Sequence, residues 1–236
     1  MVRRFWDQAS AAPSADGYFI LLDGRPMHLP GGAVLRIPND ALAAAIAAEW
    51  QAAGGAKGGE MSFADTPLTQ LAGTAQERIA PDPSPTIAGL TRYAEADLLC
   101  YRADHPPELS QRQALAWQPW LDWAALDRDA PLKVTSGILR VKQDPSSIEA
   151  LGRAVAAVGP WALAGLGVAV PALGSLVLGL ALSESRLEAA EAHTLAALDE
   201  LFQAELWGAD PEAERRRAAI KADVEVADRF MRLARA

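Results

Sequence analysis

One cysteine in 236 residues is too few for an internal disulfide and too few for a thiolate-rich zinc site. Cys100 therefore points to a reducing compartment, and its neighbours Leu98, Leu99 and Tyr101 mark it as a small core residue rather than an activated nucleophile. Histidine is nearly as scarce. His28, His105 and His193 fall in separate stretches, and none forms the His-Glu-x-x-His pair that holds a metal. Glu188 and Glu191 precede His193 by five and two residues, which puts the ring on a different helical face from either acid. Positive charge is short as well. Against 30 Asp plus Glu there are 22 Lys plus Arg, and the net charge of -8 has the wrong sign for a nonspecific phosphate-backbone binder. Nucleic acid is not an expected partner. The chain also lacks a Walker loop, a Gly-x-Ser-x-Gly elbow and a dinucleotide fingerprint. Gly54-Gly55-Ala56-Lys57-Gly58-Gly59 has no Gly-Lys-Ser/Thr ending and reads as a flexible connection. These motifs leave no metal site or nucleotide site to be expected.

What is present is a globular composition, 50% hydrophobic with 22% charged residues. The opening MVRRFWDQAS is not followed by the apolar run of a secretory signal. One segment raises the question of a membrane. No charge occurs between Arg153 and Glu184, and Trp161 to Leu182 is long enough to cross a bilayer. Pro160, Pro171 and four glycines interrupt it, its side chains are mostly small, and no basic cluster flanks it. It reads as a buried helical pair, with no stable membrane insertion.

The first third carries strand signals: Tyr18 to Leu22, the type I′ turn dipeptide Asp23-Gly24, and a return over Arg25 to Leu29. A further strand is predicted at Val34 to Ile37, before a helix capped by Asn39 or Asp40 whose Leu42, Ile46 and Trp50 recur every four residues. Beyond the proline-rich Pro81 to Pro85 the pattern turns helical. Helical segments are expected at about Thr86–Tyr101, Glu108–Leu126, Ser147–Val158, Trp161–Leu182, Ser185–Leu206 and Glu212–Leu233. Asp210-Pro211-Glu212 gives the last of them a well-specified start, and Ile220, Val224, Ala227 and Met231 make its buried stripe, leaving Arg215, Arg216 and Arg217 to solvent. The expected class is α+β, with an N-terminal β-rich domain over residues 1–82 and a larger all-helical C-terminal domain over 83–236.

Trp117, Trp120 and Trp123 recur by threes and read as one buried helical face in preference to a binding cluster, with Pro119 kinking that helix or marking its start. Trp50 likewise reads as packing rather than contact.

Ordered motifs then carry a resemblance. Arg3-Arg4-Phe5-Trp6, Gly17 to Pro26, Pro38 to Ala43 with Glu49-Trp50, Pro67 to Leu71 with Thr74-Ala75 and Arg78, and Asp97 to Arg102 come first. Gln111-Arg112-Gln113, Trp117 to Trp123, Trp161-Ala162-Leu163, Leu198-Asp199-Glu200 and Trp207-Gly208 follow in order. Together they resemble the ATP synthase assembly chaperones that bind the alpha subunit, the ATP12 chaperone family, over nearly the whole chain.

The resemblance implies an ATP-independent molecular chaperone that binds the unassembled alpha subunit of the F-type ATP synthase and prevents its aggregation before the alpha/beta hexamer forms. It implies no cofactor and no turnover; the alternative is a soluble hydrolase or isomerase of unknown substrate. Asp199 falls where the family has a functionally important glutamate, so the shorter side chain keeps the charge and shortens its reach. Partner contacts are expected from Asp199, Glu200, Glu191, Glu188 and Phe202, carboxylates rimming an apolar stripe of Leu195, Leu198, Phe202 and Leu206. Trp50, Trp6, Arg102, Trp120 and Trp207 are expected as structural or family-motif positions. The protein is expected to be monomeric when free. The lack of a transit-like extension leans to a bacterial cytoplasm, with the mitochondrial matrix as the location of a processed eukaryotic form.

Overall fold

The computed structural model describes residues 2–137 and 139–235. In chain order it contains β1 (Val2–Arg3), β2 (Ala9–Ser14), β3 (Gly17–Leu22), β4 (Arg25–Pro26), β5 (Arg36–Ile37), α1 (Asp40–Ala52), β6 (Glu60–Met61), α2 (Pro67–Thr74), α3 (Ser84–Thr91) and β7 (Tyr101–Arg102). Then come α4 (Pro107–Arg128), β8 (Thr135–Ser136), α5 (Pro145–Ala156), α6 (Pro160–Leu173), α7 (Leu176–Ser183), α8 (Ala189–Ala196), α9 (Leu198–Trp207) and α10 (Pro211–Arg235). The class is α+β, with its sheet near the N-terminus and a larger helical part after it. Two compact units result. The first holds the chain through Pro83 with Pro160–Gly165 and the stretch from Arg229 on; the second holds Ser84–Gly159 and Leu166–Asp228.

In the first unit, β2 and β3 form an antiparallel hairpin from Ala9↔Leu22 to Ser14↔Gly17. Gly17 is required at its turn, since a Cβ there would stand 2.3 Å from the Ile37 carbonyl oxygen. Asp23 and Gly24 both take positive φ, 49° and 79°, and this type I′ geometry returns the chain into β4. Farther along, β5 pairs with the start of β3, Tyr18↔Ile37. The expected strand at Val34 to Ile37 is thus only two residues long, preceded by an isolated bridge between His28 and Val34.

Helix α1 is capped by Asn39, whose Oδ1 accepts from the Leu42 N–H at 2.9 Å, and buries Leu42, Ala43, Ile46 and Ala47. Two glutamine amides close exposed strand backbone. Gln51 accepts from the Ala9 N–H at 2.7 Å and donates to Asp7 O at 3.3 Å. Gln76 accepts from the Arg36 N–H at 2.8 Å and donates to Val34 O at 2.9 Å. Each carboxamide imitates a peptide group and occupies backbone sites that a second strand would otherwise take. Gln76 reaches β5 from a π-turn, Ala75–Ile79, closed by an Ala80 N–H to Ala75 O bond of 2.8 Å.

In the second unit, the uncharged stretch is not one helix. Gly174 takes the left-handed conformation at φ 64° and ends α6, and Ser175 caps α7. All eight residues of α7 are buried. Eight residues are too few for a stable helix in water, so burial of its leucines, each contributing about 1.5–3 kcal/mol, holds it. Among the described residues no helix is long and apolar enough to cross a membrane.

Its N-terminus rests on Asp97, which is fully buried. Asp97 accepts from Ser175 Oγ at 2.7 Å and from the Val177 and Leu99 N–H groups at 3.1 Å each. Burial pushes its pKa up, and these hydrogen bonds oppose that rise. The segment expected to be helical through Tyr101 instead shortens to α3, passes through 3-10 turns at Arg92–Ala96 and Leu98–Cys100, and extends into β7. Helix α4 runs unbroken through Pro119. β7 and β8 form a two-residue parallel pair. Helix α10 starts as expected, with Asp210 Oδ1 accepting from the Glu212 N–H at 3.0 Å. Its Val224, Ala227 and Met231 are buried while Ile220 is half-buried; of the three arginines, Arg217 is half-buried.

Candidate functional site

A single helix over Ser185–Leu206 would align Glu188, Glu191 and Asp199 along one edge. The structure interrupts it at Ala197, whose φ of -90° and ψ of 9° leave the helical basin between α8 and α9. These carboxylates, and Glu200 with them, diverge as a result. Glu188 stands at the N-cap position of α8 and Glu191 in its first turn, both exposed and both suited to the positive end of the helix.

Asp199 and Glu200 open α9, about 100° apart around its axis. Asp199 is half-buried and faces α4, where its Oδ1 accepts from Gln113 Nε2 at 2.6 Å. Gln113 is fully buried, and its Oε1 accepts from the Ala103 N–H at 2.6 Å. One amide therefore ties α9, α4 and the segment after β7 together. Glu200 faces α10 instead, accepting from Arg216 Nη2 at 3.1 Å and Arg217 Nη1 at 3.5 Å.

Phe202 is only 6% exposed. Its helical position turns the ring inward beneath Arg112, whose guanidinium lies 5.0 Å from the ring centroid and pairs with Glu205 at 2.6 Å. Arg112 thus covers part of a ring that is already almost fully buried. Leu206 and Trp207, at 57% and 78% exposed, end α9 beside a groove of about 410 Å³ whose lining includes Glu200, Gln203, Asp210 and Arg216. So large an exposed indole is the kind of anchor that interfaces use.

The other motif positions form two frameworks. In the first unit, Trp6 is 1% exposed, lies 4.9 Å from Trp50 between ring centroids and donates from Nε1 to Trp50 O at 3.2 Å. Buried Arg4 donates to Gln51 O at 2.8 Å, Ala53 O at 3.2 Å and Gly55 O at 2.7 Å, a cation set on the negative end of α1. Trp50 is half-buried and donates to Thr69 Oγ1 at 2.7 Å. Thr69 Oγ1 in turn donates to Glu49 at 2.9 Å, and Glu49 also accepts from the Leu68 and Thr69 N–H groups at 2.7 and 3.0 Å, capping α2 from outside. Burial raises the Glu49 pKa against these hydrogen bonds.

In the second unit, Arg102 is buried, donates to Leu99 O at 3.1 Å and lies 5.5 Å from the Trp117 ring centroid. Burial lowers its pKa from the usual guanidinium value. Trp117 is fully buried and donates to Leu195 O at 3.0 Å, whereas Trp120 and Trp123 are half-buried and meet edge to face at 6.4 Å. The single buried face expected of these tryptophans is not observed, because a spacing of three retreats about 60° per step around a helix.

Chemistry is sparse. Burial pushes the Cys100 thiol up to about 12, so it stays protonated. His193 is half-buried, and burial, then Lys221 and Arg217, lower its pKa. Among the described residues no group of three His, Cys, Asp or Glu could hold a metal ion. Gln113 and Arg4 stand in the sequence motifs without a role of their own. Gln113 had a signal, because Leu109, Gln113, Trp117 and Leu121 recur every four residues on the buried face of α4. Arg4 had none, since nothing local distinguishes it from Arg3.

Over residues 3–125 the chain matches the family model described as ATP12 chaperone protein. It is similar to the crystal structure of Atp12 from Paracoccus denitrificans, with 42% identity, a TM-score of 0.92 and 98% of each chain covered. It is equally similar, at 42% identity and a TM-score of 0.91, to an aspartate-to-lysine mutant of that species' Atp12p, covering 98% of this chain and 97% of the other. A more distant relative is the mitochondrial protein atp12 of Schizosaccharomyces pombe, 23% identical over 220 residues that span 87% of this chain and 74% of that protein.

Proposed function

Since this chain belongs to the ATP12 chaperone family, we propose that it serves assembly of the F-type ATP synthase catalytic sector by binding the unassembled alpha subunit, without ATP and without a chemical step. An orphan subunit exposes a large apolar interface of obligate type, and a partner that covers it reversibly suppresses aggregation by mass action. The contact face in this reading is the outer side of α8 and α9. Trp207 and Leu206 supply apolar anchors there, with Glu188, Glu191 and Glu200 as the polar rim. Asp199 and Phe202 act from behind, holding α9 against α4. Trp6, Trp50, Arg102 and Trp120 maintain the frameworks. The free protein is a monomer, in a bacterial cytoplasm or, for a processed eukaryotic form, the mitochondrial matrix.

The observation that carries this choice of face is Trp207, 78% exposed at the end of a helix whose other faces are already engaged. Purified alpha subunit from the same host, warmed until it scatters light, should stay clear with equimolar parent protein and no nucleotide. The double variant Trp207→Ala, Glu191→Lys should bind roughly tenfold more weakly or worse, as loss of one interface anchor does. Undiminished protection by that variant, folded by circular dichroism, would reject the face.

A further inference from the structure

The first unit carries a groove of about 450 Å³ lined by Met27, Leu29, Trp50, Phe63, Thr66 and Arg78, among others. Its size falls within the ~300–1,000 Å³ of ordinary ligand clefts, and its floor is apolar, with Met27 and Leu29 each 6% exposed. The walls are fixed in advance. The Trp50 indole N–H is engaged by Thr69 at 2.7 Å, which sets the ring plane against the groove.

Phe63 stands 61% exposed on a 3-10 turn closed by a capping box, in which Ser62 N–H donates to Asp65 at 2.7 Å. The Phe63 carbonyl accepts from Gln70 Nε2 at 2.6 Å and Thr66 Oγ1 at 3.3 Å, so the backbone that carries the exposed ring is anchored from two sides. An apolar ring held rigidly in water has no use within the unit's own core.

The π-turn Ala75–Ile79 also contributes to the lining, and such one-residue insertions into helices recur at functional sites. The insertion sends Gln76 to the edge of β5 and places Glu77 and Arg78 on the groove. Arg78 is exposed and makes no ion pair among the described residues, in a protein of net charge -8.

We infer that this groove is a second docking point for the client polypeptide, taking one bulky apolar side chain between Trp50 and Phe63 with a neighbouring carboxylate of the client paired to Arg78. The inference rests on the chaperone reading, and it adds a place and a residue chemistry to it. Trp50 thereby has a role in contact as well as in packing.

The test uses the full chain and two substitutions at exposed or half-exposed lining positions, Thr74→Trp to plug the groove and Arg78→Glu to reverse its charge. Both should melt as the parent does and leave the Trp50 indole N–H resonance in place. With purified alpha subunit, Thr74→Trp should lose at least about tenfold in affinity and Arg78→Glu a smaller factor. Parent-like binding of alpha by Thr74→Trp would overturn the groove while leaving the chaperone reading intact. If the parent itself ignores alpha, the chaperone reading falls, and a blocked pentapeptide Ala-Ala-Phe-Asp-Ala then decides. A shift of the Trp50 indole signal in the parent and none in Thr74→Trp keeps the groove; no shift, or equal shifts, discards it.

Discussion

Asp199 is held by a glutamine that solvent never reaches, and this changes what its substitution measures. Gln113 Nε2 donates to Asp199 at 2.6 Å from a residue with no exposed surface. An alanine at 199 leaves that buried donor unpaired, which costs about 1–3 kcal/mol, and for a chain of this size each kcal/mol lowers Tm by roughly 2–4 °C. Asparagine can still accept through its carbonyl oxygen. Lysine would set an ammonium donor against an amide donor. Thermal melts should therefore rank Asp199→Asn near the parent, Asp199→Ala several degrees lower and Asp199→Lys lowest. Equal melts for all three would show the hydrogen bond to be worth nothing. The sequence offered Asp199 as a rim carboxylate because a helical wheel reports angles and not neighbours. The same wheel could have selected Gln113, a polar residue on an otherwise apolar stripe, where the default expectation is a buried bond rather than an exposed one. Phe63 gave less. A lone aromatic between Ser62 and Ala64 has no periodicity, and only the folded turn shows that its ring faces outward.

Elements were legible where a side chain announces their ends. Asn39 starts α1, Asp210-Pro211 starts α10, and Asp23-Gly24 turns β3 into β4, each because the required capping or positive-φ chemistry belongs to few residue types. Gly174-Ser175 carries a signal of the same kind, an αL stop followed by an N-cap, yet the helical segment expected over Trp161–Leu182 runs through it; the structure divides the stretch there into α6 and α7. Ala197 was opaque. Alanine is the best helix former, so a break there runs against local propensity and comes from packing on either side. The same holds for the end of α3, where the helix yields to 3-10 turns so that Asp97 can reach the start of α7. That reach makes Asp97 a demanding polar group, fully buried and holding three hydrogen-bond donors. Removing its carboxylate strands two backbone N–H groups and the Ser175 hydroxyl inside the core. Asp97→Ala should lower unfolding stability by about 3 kcal/mol or more, read as a lower urea midpoint at unchanged m-value. A midpoint within error of the parent would mean that water has taken over the lost acceptor.

At the scale of the whole molecule, composition was strong on exclusion and silent on purpose. A net charge of -8, one cysteine and three scattered histidines argued against nucleic acid, disulfides and a histidine metal site, yet nothing in those totals points to a client. The ordered motifs did that, and two findings place the chain in its family: the family model matched over residues 3–125, and 42% identity to a solved relative across 98% of the chain. A protein that works by covering a surface must also be able to leave it. If, as proposed, the protein holds alpha without a chemical step, competition is a sufficient way to drive release: a second ligand for the same face of alpha lowers the free concentration of that face and dissociates the chaperone by mass action. The beta subunit is that competitor if the chaperone shields the surface where beta later sits. A complex of this protein with alpha, isolated by size exclusion, should therefore lose alpha progressively as beta is titrated in, with the midpoint moving in proportion to chaperone concentration. Adding ATP alone should leave the complex at its original elution volume. Release that needs nucleotide hydrolysis, or a complex that survives beta in about tenfold excess, would mean that the covered surface is not the alpha/beta interface and that departure is driven by something other than competition.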